Sequence, residues 1–412
     1  MTAFVPVLQV ISRNRHLGAE QLRENLNYAE GVSNRRRGQV QCASENSWLQ
    51  RRRKRRSLEK RSETKVAVCG GGSFGTAIAF LLANNGYPVQ ILVRKTWVRD
   101  EINVERRNPK YFTEFVLPDN VTATIDAEEA LTDAKLIVHA VPVQQSRSFF
   151  EANTEYFPAD APVLCTSKGL EVTSLKFMCE LLPELLPRTK SFAYLSGPSF
   201  AREMMDQLPT AVVVASDDVD LALRIADMMS SPFFKVFTSS DTIGVEVAGA
   251  VKNVIAIAAG ICEGLGLGTN SMAALVTRGC SEMRRLALNM GASPITLSGL
   301  SGVGDTFLTC FGPLSRNRNV GVRLGKGETL DSILSSSRQV AEGVTTAEAL
   351  VGMLLNQYNG VSQQDNKEIN VYATRAAARY PILFGVRAIL EGRITPQEGV
   401  EALLAMPPRE EN

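Results

Sequence analysis

Lys252 lies in the stretch EVAGAVKNVIAIAAG, residues 246 to 260, with no charged residue within five positions on either side. On a helix this sequence surrounds an ammonium with small apolar side chains, and desolvation there lowers a lysine pKa. A lysine so placed suits proton transfer near neutral pH. The alternative is a lysine whose stem runs along an apolar interface to keep its head in water, but Ala and Gly neighbours give such a stem little to cover. Other proton carriers are scarce. Of two histidines, His16 lies in a basic N-terminal tail and His139 sits in an apolar strand pattern, where a core role is the simpler reading. No tyrosine is followed four residues later by lysine, and no cluster of zinc-ligand types occurs. Asp305, a lone carboxylate in GVGDTF, could keep a lysine protonated and aimed, or could cap a helix.

A second chemistry-bearing pattern is Gly70-x-Gly72-x-x-Gly75 in KVAVCGGGSFGTAIAFLLANNGYPVQILVR. Set between a strand and a helix, three such glycines allow a tight turn, close approach to a pyrophosphate and tight helix packing. Dinucleotide binding is therefore expected. An NAD-selective site places an acidic residue about 20 positions further on. Here the second strand ends in Arg94-Lys95, so a 2′-phosphate is admitted and NADPH should be accepted, with a merely solvated Arg94 as the alternative.

These residues need a scaffold. Short buried strands are read at KVAVCG, VQILVR, 134–142, 161–169, 191–198 and 209–216, separated in several places by helical patterns. The expected architecture is an α/β, Rossmann-type doubly wound sheet followed by an all-α domain. Helices are expected at 241–264, 271–290, 301–311, 329–336, 343–358 and in a final set ending near Met406. The division reads as 1–64 for a targeting peptide and basic spacer, 65–238 for the dinucleotide-binding domain, and 239–412 for an all-helical substrate-binding domain.

Charge supports that division. Of 45 Lys and Arg, 14 fall in residues 1–64, against only 6 of the 43 Asp and Glu, so the body is net acidic. That argues against a nucleic-acid partner. An Arg-rich, acid-poor tail fits an organellar targeting segment, a disordered basic tail or a nuclear-localisation cluster, and composition leaves plastid and mitochondrion open. Seven scattered cysteines form no C-x-x-C pair, as in a reducing compartment. The longest apolar stretch is short of the roughly 20 residues of a bilayer span and is broken by Lys252, so no membrane span is expected and no metal site.

From Lys65 to Pro408 the chain resembles NAD(P)-dependent glycerol-3-phosphate dehydrogenases of the bacterial-type and plant plastid branch. The resemblance rests on GGGSFGTA (70–77), HAVPVQ (139–144), TSKGLE (166–171), SGPSFA (196–201), GAVKNVIAIAAG (249–260), GVGDTFLTC (302–310), LSRNRNVG (314–321) and VAEG (340–343), in that order. It implies NAD(H) or NADP(H) as cofactor, reduction of dihydroxyacetone phosphate to sn-glycerol 3-phosphate, and a homodimer. It also implies a plastid location, with mitochondrion or cytosol as alternatives. Lys252 matches the catalytic lysine, Lys168 a lysine touching cofactor and substrate, and Asn253 and Asp305 residues that hold substrate and orient Lys252. Ser315, Arg316 and Asn317 match the substrate-phosphate clamp, Arg316 also meeting the cofactor, and Gly197 is a substrate-side position. Ser73, Phe74, Ser199, Ala201, Val340 and Glu342 match cofactor contacts. The chain departs from relatives at QQDNKEINVYATRAAAR, residues 363–379.

Overall fold

The computed structural model describes residues 61–336, 341–359 and 375–407. The first half alternates strand and helix: β1 (Val66–Cys69), α1 (Ser73–Asn84), β2 (Val89–Leu92), α2 (Thr96–Val104), β3 (Val121–Thr124), α3 (Ala127–Leu131), β4 (Leu136–His139), α4 (Val143–Asn153), β5 (Val163–Cys165), α5 (Met178–Leu185), β6 (Phe192–Ser196), α6 (Ala201–Met205), β7 (Thr210–Ala215), α7 (Val219–Met229) and β8 (Phe234–Ser239). They form one sheet of order β3-β2-β1-β4-β5-β6-β7-β8, parallel except where β7 runs against β6. Strands β1, β4 and β5 are buried along their whole length, as a sheet covered on both faces requires.

Register sets where ligands can sit. Leu92, Cys69, His139, Cys165 and Tyr194 pair in one row across five strands. The segments that leave these strands at their carboxyl ends therefore gather along one edge. The chain winds outward in opposite directions from β1 and β4, and an open α/β sheet has its crevice at that reversal.

The second half is helical: α8 (Thr242–Gly264), α9 (Gly268–Asn289), α10 (Pro294–Ser298), a π-type turn (Leu300–Gly304), α11 (Asp305–Phe311), α12 (Arg316–Gly325), α13 (Leu330–Ser336), α14 (Glu342–Asn359), α15 (Pro381–Leu390) and α16 (Pro396–Leu404). Asp241 starts α8 by accepting from Gly244 N at 2.8 Å, and its other oxygen accepts from Ser293 N at 2.9 Å. By length and composition α8 could cross a membrane, but its most apolar window is wholly buried among the other elements. It is the axis of the helical half.

Glycines decide how closely α12 approaches that axis. A Cβ on Gly260 would lie 2.0 Å from Arg318 O, one on Gly264 2.3 Å from Val322 O, and one on Gly321 2.0 Å from Ile257 O. No larger residue fits without separating the two backbones. This contact draws the start of α12, with the SRNR motif, against the helix that carries Lys252.

Residues 363–374 of the departing segment lie outside the described residues, and the chain just after the segment docks firmly. Tyr380 is fully buried, and Asn289 donates to its hydroxyl at 3.2 Å. The buried Glu282 carboxylate accepts from Ile382 N at 2.9 Å and Leu383 N at 3.1 Å, covering the open start of α15.

The elements differ from expectation in five respects, one being the short helix α10. Strands β3 and β8 and helix α12 emerge where no element was expected, and the stretch 301–311 divides into the π-type turn and α11. β3 and β8 are the outermost strands of the sheet, and the burial of β8 is mixed rather than alternating, so neither carries a strong period-two signal. α12 is rich in Arg and Asn and is held by backbone packing that apolar periodicity does not report.

Gly321→Val should lower unfolding free energy by about 2 kcal/mol or more, because the added side chain must force two helix backbones apart. Thermal or urea denaturation of the variant measures this, and wild-type stability would contradict the close crossing.

Candidate active site

Along the carboxyl edge of the sheet and over the helical half runs a cavity of about 980 Å³. One end is the glycine loop. Gly70 has φ +115°, and a Cβ there would lie 2.6 Å from Ala140 O in the segment after β4, while a Cβ on Gly75 would lie 2.0 Å from Gly70 O. These two glycines are demanded by the turn itself. Gly72 is different: nothing lies within 4 Å of where its Cβ would be, so the backbone before α1 faces open space. A helix start with bare N–H groups and room for close approach suits a pyrophosphate.

At the other end Asp305 joins two lysines. It opens α11 and is 1% exposed, with Oδ1 accepting from Lys252 Nζ at 2.5 Å and Oδ2 from Lys168 Nζ at 2.7 Å. It is therefore an ion-pair centre and not the helix cap, a place taken by Gly304. Thr309, one turn on, donates to Asp305 O at 2.6 Å and accepts from Lys252 Nζ at 3.0 Å. Lys252 thus has a buried carboxylate and a hydroxyl as partners, brought from more than 50 residues away in sequence.

Burial pushes the Lys252 ammonium down, Asp305 opposes, and the neighbouring Lys168 pushes down again, leaving it at about 8. For Asp305, burial alone would raise the carboxyl, but Lys168 and Lys252 outweigh it and hold it below the usual carboxylate range. Removing Asp305 would leave two cations close together with no counter-charge, a change that costs about 3–5 kcal/mol for comparable buried pairs.

Lys168 comes from the segment after β5. Thr166 Oγ1 donates to His139 O at 2.9 Å and Ser167 Oγ to Val141 O at 2.5 Å, so the start of this loop is tied to the neighbouring segment. Gly169, at φ +137°, turns the chain away beside Thr346 of α14. Arg147 of α4 grips Glu171 with two bonds of 2.7 Å, fixing the loop three residues beyond Lys168.

The SRNR motif forms the opposite wall. Ser315 caps α12 by accepting from Arg318 N at 3.2 Å, so Arg316 and Asn317 belong to the first turn of a ten-residue helix. Asn317 Nδ2 donates to Asn253 Oδ1 at 2.9 Å, and Asn317 Oδ1 accepts from Gly343 N at 2.9 Å, joining α8, α12 and α14. Burial raises the Glu342 carboxyl, with Arg316, Lys168 and Lys252 pulling the other way.

Of the residues expected at the site, Gly70, Gly72, Ser73, Phe74, Arg94, Lys168, Ser199, Ala201, Lys252, Asn253, Ser315, Arg316, Asn317 and Glu342 line this one cavity. Asp305 lies beneath its wall, reached through the lysines. Two more of the expected positions stand behind the lining. Gly75 works inside the glycine loop rather than on the cavity surface, and Gly197, at φ +127° with Val212 Cα 2.9 Å from a Cβ, is a turn residue packed on β7. Val340 lies outside the described residues. Thr309, Lys110, Tyr111 and Gln145 also line the cavity and had not been singled out. Only Thr309 had a legible signal, lying one helical turn after Asp305. His139 is fully buried against Phe150, with burial driving its pKa down to about 3, and stays a neutral core residue. Among the described residues no group of three or more His, Cys, Asp or Glu could hold a metal ion.

A glycine loop at the reversal point of a parallel sheet, facing a buried lysine across one cleft, defines a nicotinamide-dinucleotide-dependent oxidoreductase. The chain belongs to the NAD-dependent glycerol-3-phosphate dehydrogenase family, whose N-terminal model matches residues 65–222 and whose C-terminal model matches residues 241–401. It is 48% identical over 375 residues to glycerol-3-phosphate dehydrogenase [NAD(+)] 2, chloroplastic, of Arabidopsis thaliana, across 89% of this chain and 85% of that one. It is 42% identical to glycerol-3-phosphate dehydrogenase [NAD(P)+] of Oleidesulfovibrio alaskensis, across 84% and 100% of the two chains. Among solved structures, glycerol-3-phosphate dehydrogenase from Coxiella burnetii superposes with a TM-score of 0.75 at 31% identity, covering 83% of this chain and 99% of that one.

If Lys252 gives its proton during carbonyl reduction, the rate should fall as pH rises through about 8, where the ammonium is lost. Asp305→Asn removes the anion that favours the charged form, so the falling limb should move to lower pH. Steady-state rates from pH 6 to 10 test both, and an unmoved limb would sever Lys252 from the limb.

Proposed function

We propose that the chain interconverts dihydroxyacetone phosphate and sn-glycerol 3-phosphate with NAD(H) or NADP(H), supplying the alcohol phosphate for glycerolipid synthesis. The observation that carries this reading is the buried Lys252–Asp305–Lys168 centre set in the same cavity as an Arg-bearing helix start. Bound NADH or NADPH supplies the hydride. The protein's residues do the rest.

Lys252 Nζ protonates the oxygen at C2 as negative charge grows there and takes the proton back in the reverse direction. Asp305 and Thr309 hold that nitrogen in place. Lys168 adds a second positive charge that stabilises the developing oxyanion. Arg316 and the start of α12 receive the substrate phosphate, where the helix dipole and a planar guanidinium both favour an anion. Asn253 and Asn317, bonded to each other, keep the lysine helix and the phosphate helix at fixed spacing, which sets the distance between the reacting carbon and the phosphate.

Residues 65–238 are read as the cofactor-binding unit and 239–412 as the substrate-binding unit, a division supported by the end of the sheet at Ser239 and the limits of the two family models. Plastid targeting by residues 1–64 and assembly as a homodimer belong to the same proposal. The first is supported by the basic tail and by the chloroplastic name of the Arabidopsis relative, and the second by family resemblance.

Lys252→Ala should cut turnover of dihydroxyacetone phosphate by about 10²–10⁴-fold while NADPH still binds, the range expected for loss of a general acid. Arg316→Ala should raise KM for that substrate more than KM for free dihydroxyacetone. Full activity in the lysine variant would overturn the assignment. Separately, residues 1–64 fused to a fluorescent protein should enter plastids and the purified enzyme should sediment as a dimer. Mitochondrial import or a monomer would refute the respective half.

A further inference from the structure

The excursion between α2 and β3 has no role in the chemistry above, yet it crosses to the mouth of the cavity and contributes Lys110, Tyr111 and Phe112 to its lining. Its shape is held at both ends. Arg106 and Phe112 adopt left-handed backbone at φ 57° and 61°, and the Arg106 guanidinium donates to Val121 O at 2.9 Å. Asn108 is 1% exposed and uses its whole amide: Nδ2 donates to Gly71 O at 3.0 Å and Thr76 Oγ1 at 2.8 Å, while Oδ1 accepts from Lys110 N at 3.0 Å and Tyr111 N at 3.2 Å. One side of a buried asparagine therefore grips the glycine loop, and the other grips the backbone of Lys110. Further along, Arg202 pairs with Glu114 and stacks on Phe115 at 5.0 Å, fastening the excursion to α6.

The Lys110 backbone is thus fixed relative to the glycine loop, and its exposed head lies beside an aromatic ring. Its Nζ lies 5.4 Å from the centre of the Trp97 ring, and Trp97 follows Arg94 and Lys95 at the start of α2. Arg94, Lys95 and Lys110 all line the same cavity, and among the described residues none of them forms an ion pair with a carboxylate. Arg94 has a 3.3 Å bond to the neutral Gln145. The cavity's carboxylate, Glu342, is coupled to Arg316, Lys168 and Lys252 at the catalytic end. Three cations, two at the end of the second strand, where the adenosine ribose is met in this fold, and one beside Trp97, lack a carboxylate partner among the described residues.

Resting on the dinucleotide reading above, we propose that Lys110, together with Arg94 and Lys95, forms a cradle for the 2′-phosphate of NADPH, so that the excursion from Arg106 to Leu117 selects between the two dinucleotides. A 2′-phosphate carries close to two negative charges at neutral pH and a 2′-hydroxyl none. Lys110 therefore adds affinity for one ligand and almost nothing for the other. Asn108 makes that selectivity dependable by tying the lysine backbone to the loop that fixes the pyrophosphate.

Calorimetric titration of the full-length protein with 2′,5′-ADP and with 5′-ADP tests this without turnover. The wild type should bind 2′,5′-ADP at least about tenfold more tightly, and Lys110→Ala should lose about tenfold for 2′,5′-ADP, in line with one charge-assisted phosphate contact. Affinity for 5′-ADP should stay within about twofold, and Lys110→Arg should retain the preference. Equal wild-type affinities, or a Lys110→Ala variant that weakens both nucleotides alike, would overturn the cradle while leaving dinucleotide binding intact. A wild type that binds neither nucleotide would overturn the cofactor site itself.

Discussion

The Asp305 carboxylate is shared between two lysine ammonium groups in a nearly water-free setting, with Lys252 on one oxygen and Lys168 on the other. One negative charge cannot fully offset two positive ones, so the cluster carries a net positive charge that burial makes costly. That imbalance has two effects. It adds, through Lys168, to the burial that brings the Lys252 pKa down toward the neutral range, and it readies the cavity for an anionic ligand or a developing oxyanion. Glu342 adds a second carboxylate at this end, but Arg316 adds a third cation, so the excess of positive charge remains.

The scaffold can be understood as the means of bringing these three residues together. Lys168 leaves the carboxyl end of β5, Lys252 sits midway along α8, and Asp305 opens α11 after the π-type turn. The sheet edge fixes the first because neighbouring strands are in register and the loop is tied to His139 and Val141. The glycine-lined crossing of α8 and α12 adds the phosphate-facing wall at a distance that only bare backbones permit. Buried carboxylates elsewhere hold elements rather than substrates. Glu246 accepts from Met178 N at 3.0 Å and Glu282 from the start of α15, each covering amides that a helix start leaves open.

Much of this was legible in advance because it depends on local physics. The glycine loop announces itself by spacing, the inner strands by short, mostly apolar runs, and Lys252 by being a charge where a helix is otherwise apolar. Lys110 gave no such sign. A lysine in NPKYF is an ordinary surface residue until Asn108 ties its backbone to the glycine loop. β3, β8 and α12 were missed for a related reason: the two strands lie at the edges of the sheet and the helix is polar, so their stability comes from neighbours that the local pattern does not name.

By itself, the amino-acid sequence determined the glycine turn before a helix, a strand-rich half followed by a helical half, and a lysine that no local partner could neutralise. These follow from steric limits and hydrophobic periodicity within about ten to twenty residues. Only the tertiary structure decided that Lys252 and Lys168 share one carboxylate, and that cations of two separate segments line one cleft. Those outcomes depend on distances between segments remote in sequence, and such distances are set by strand register and helix crossing rather than by any residue's own preference.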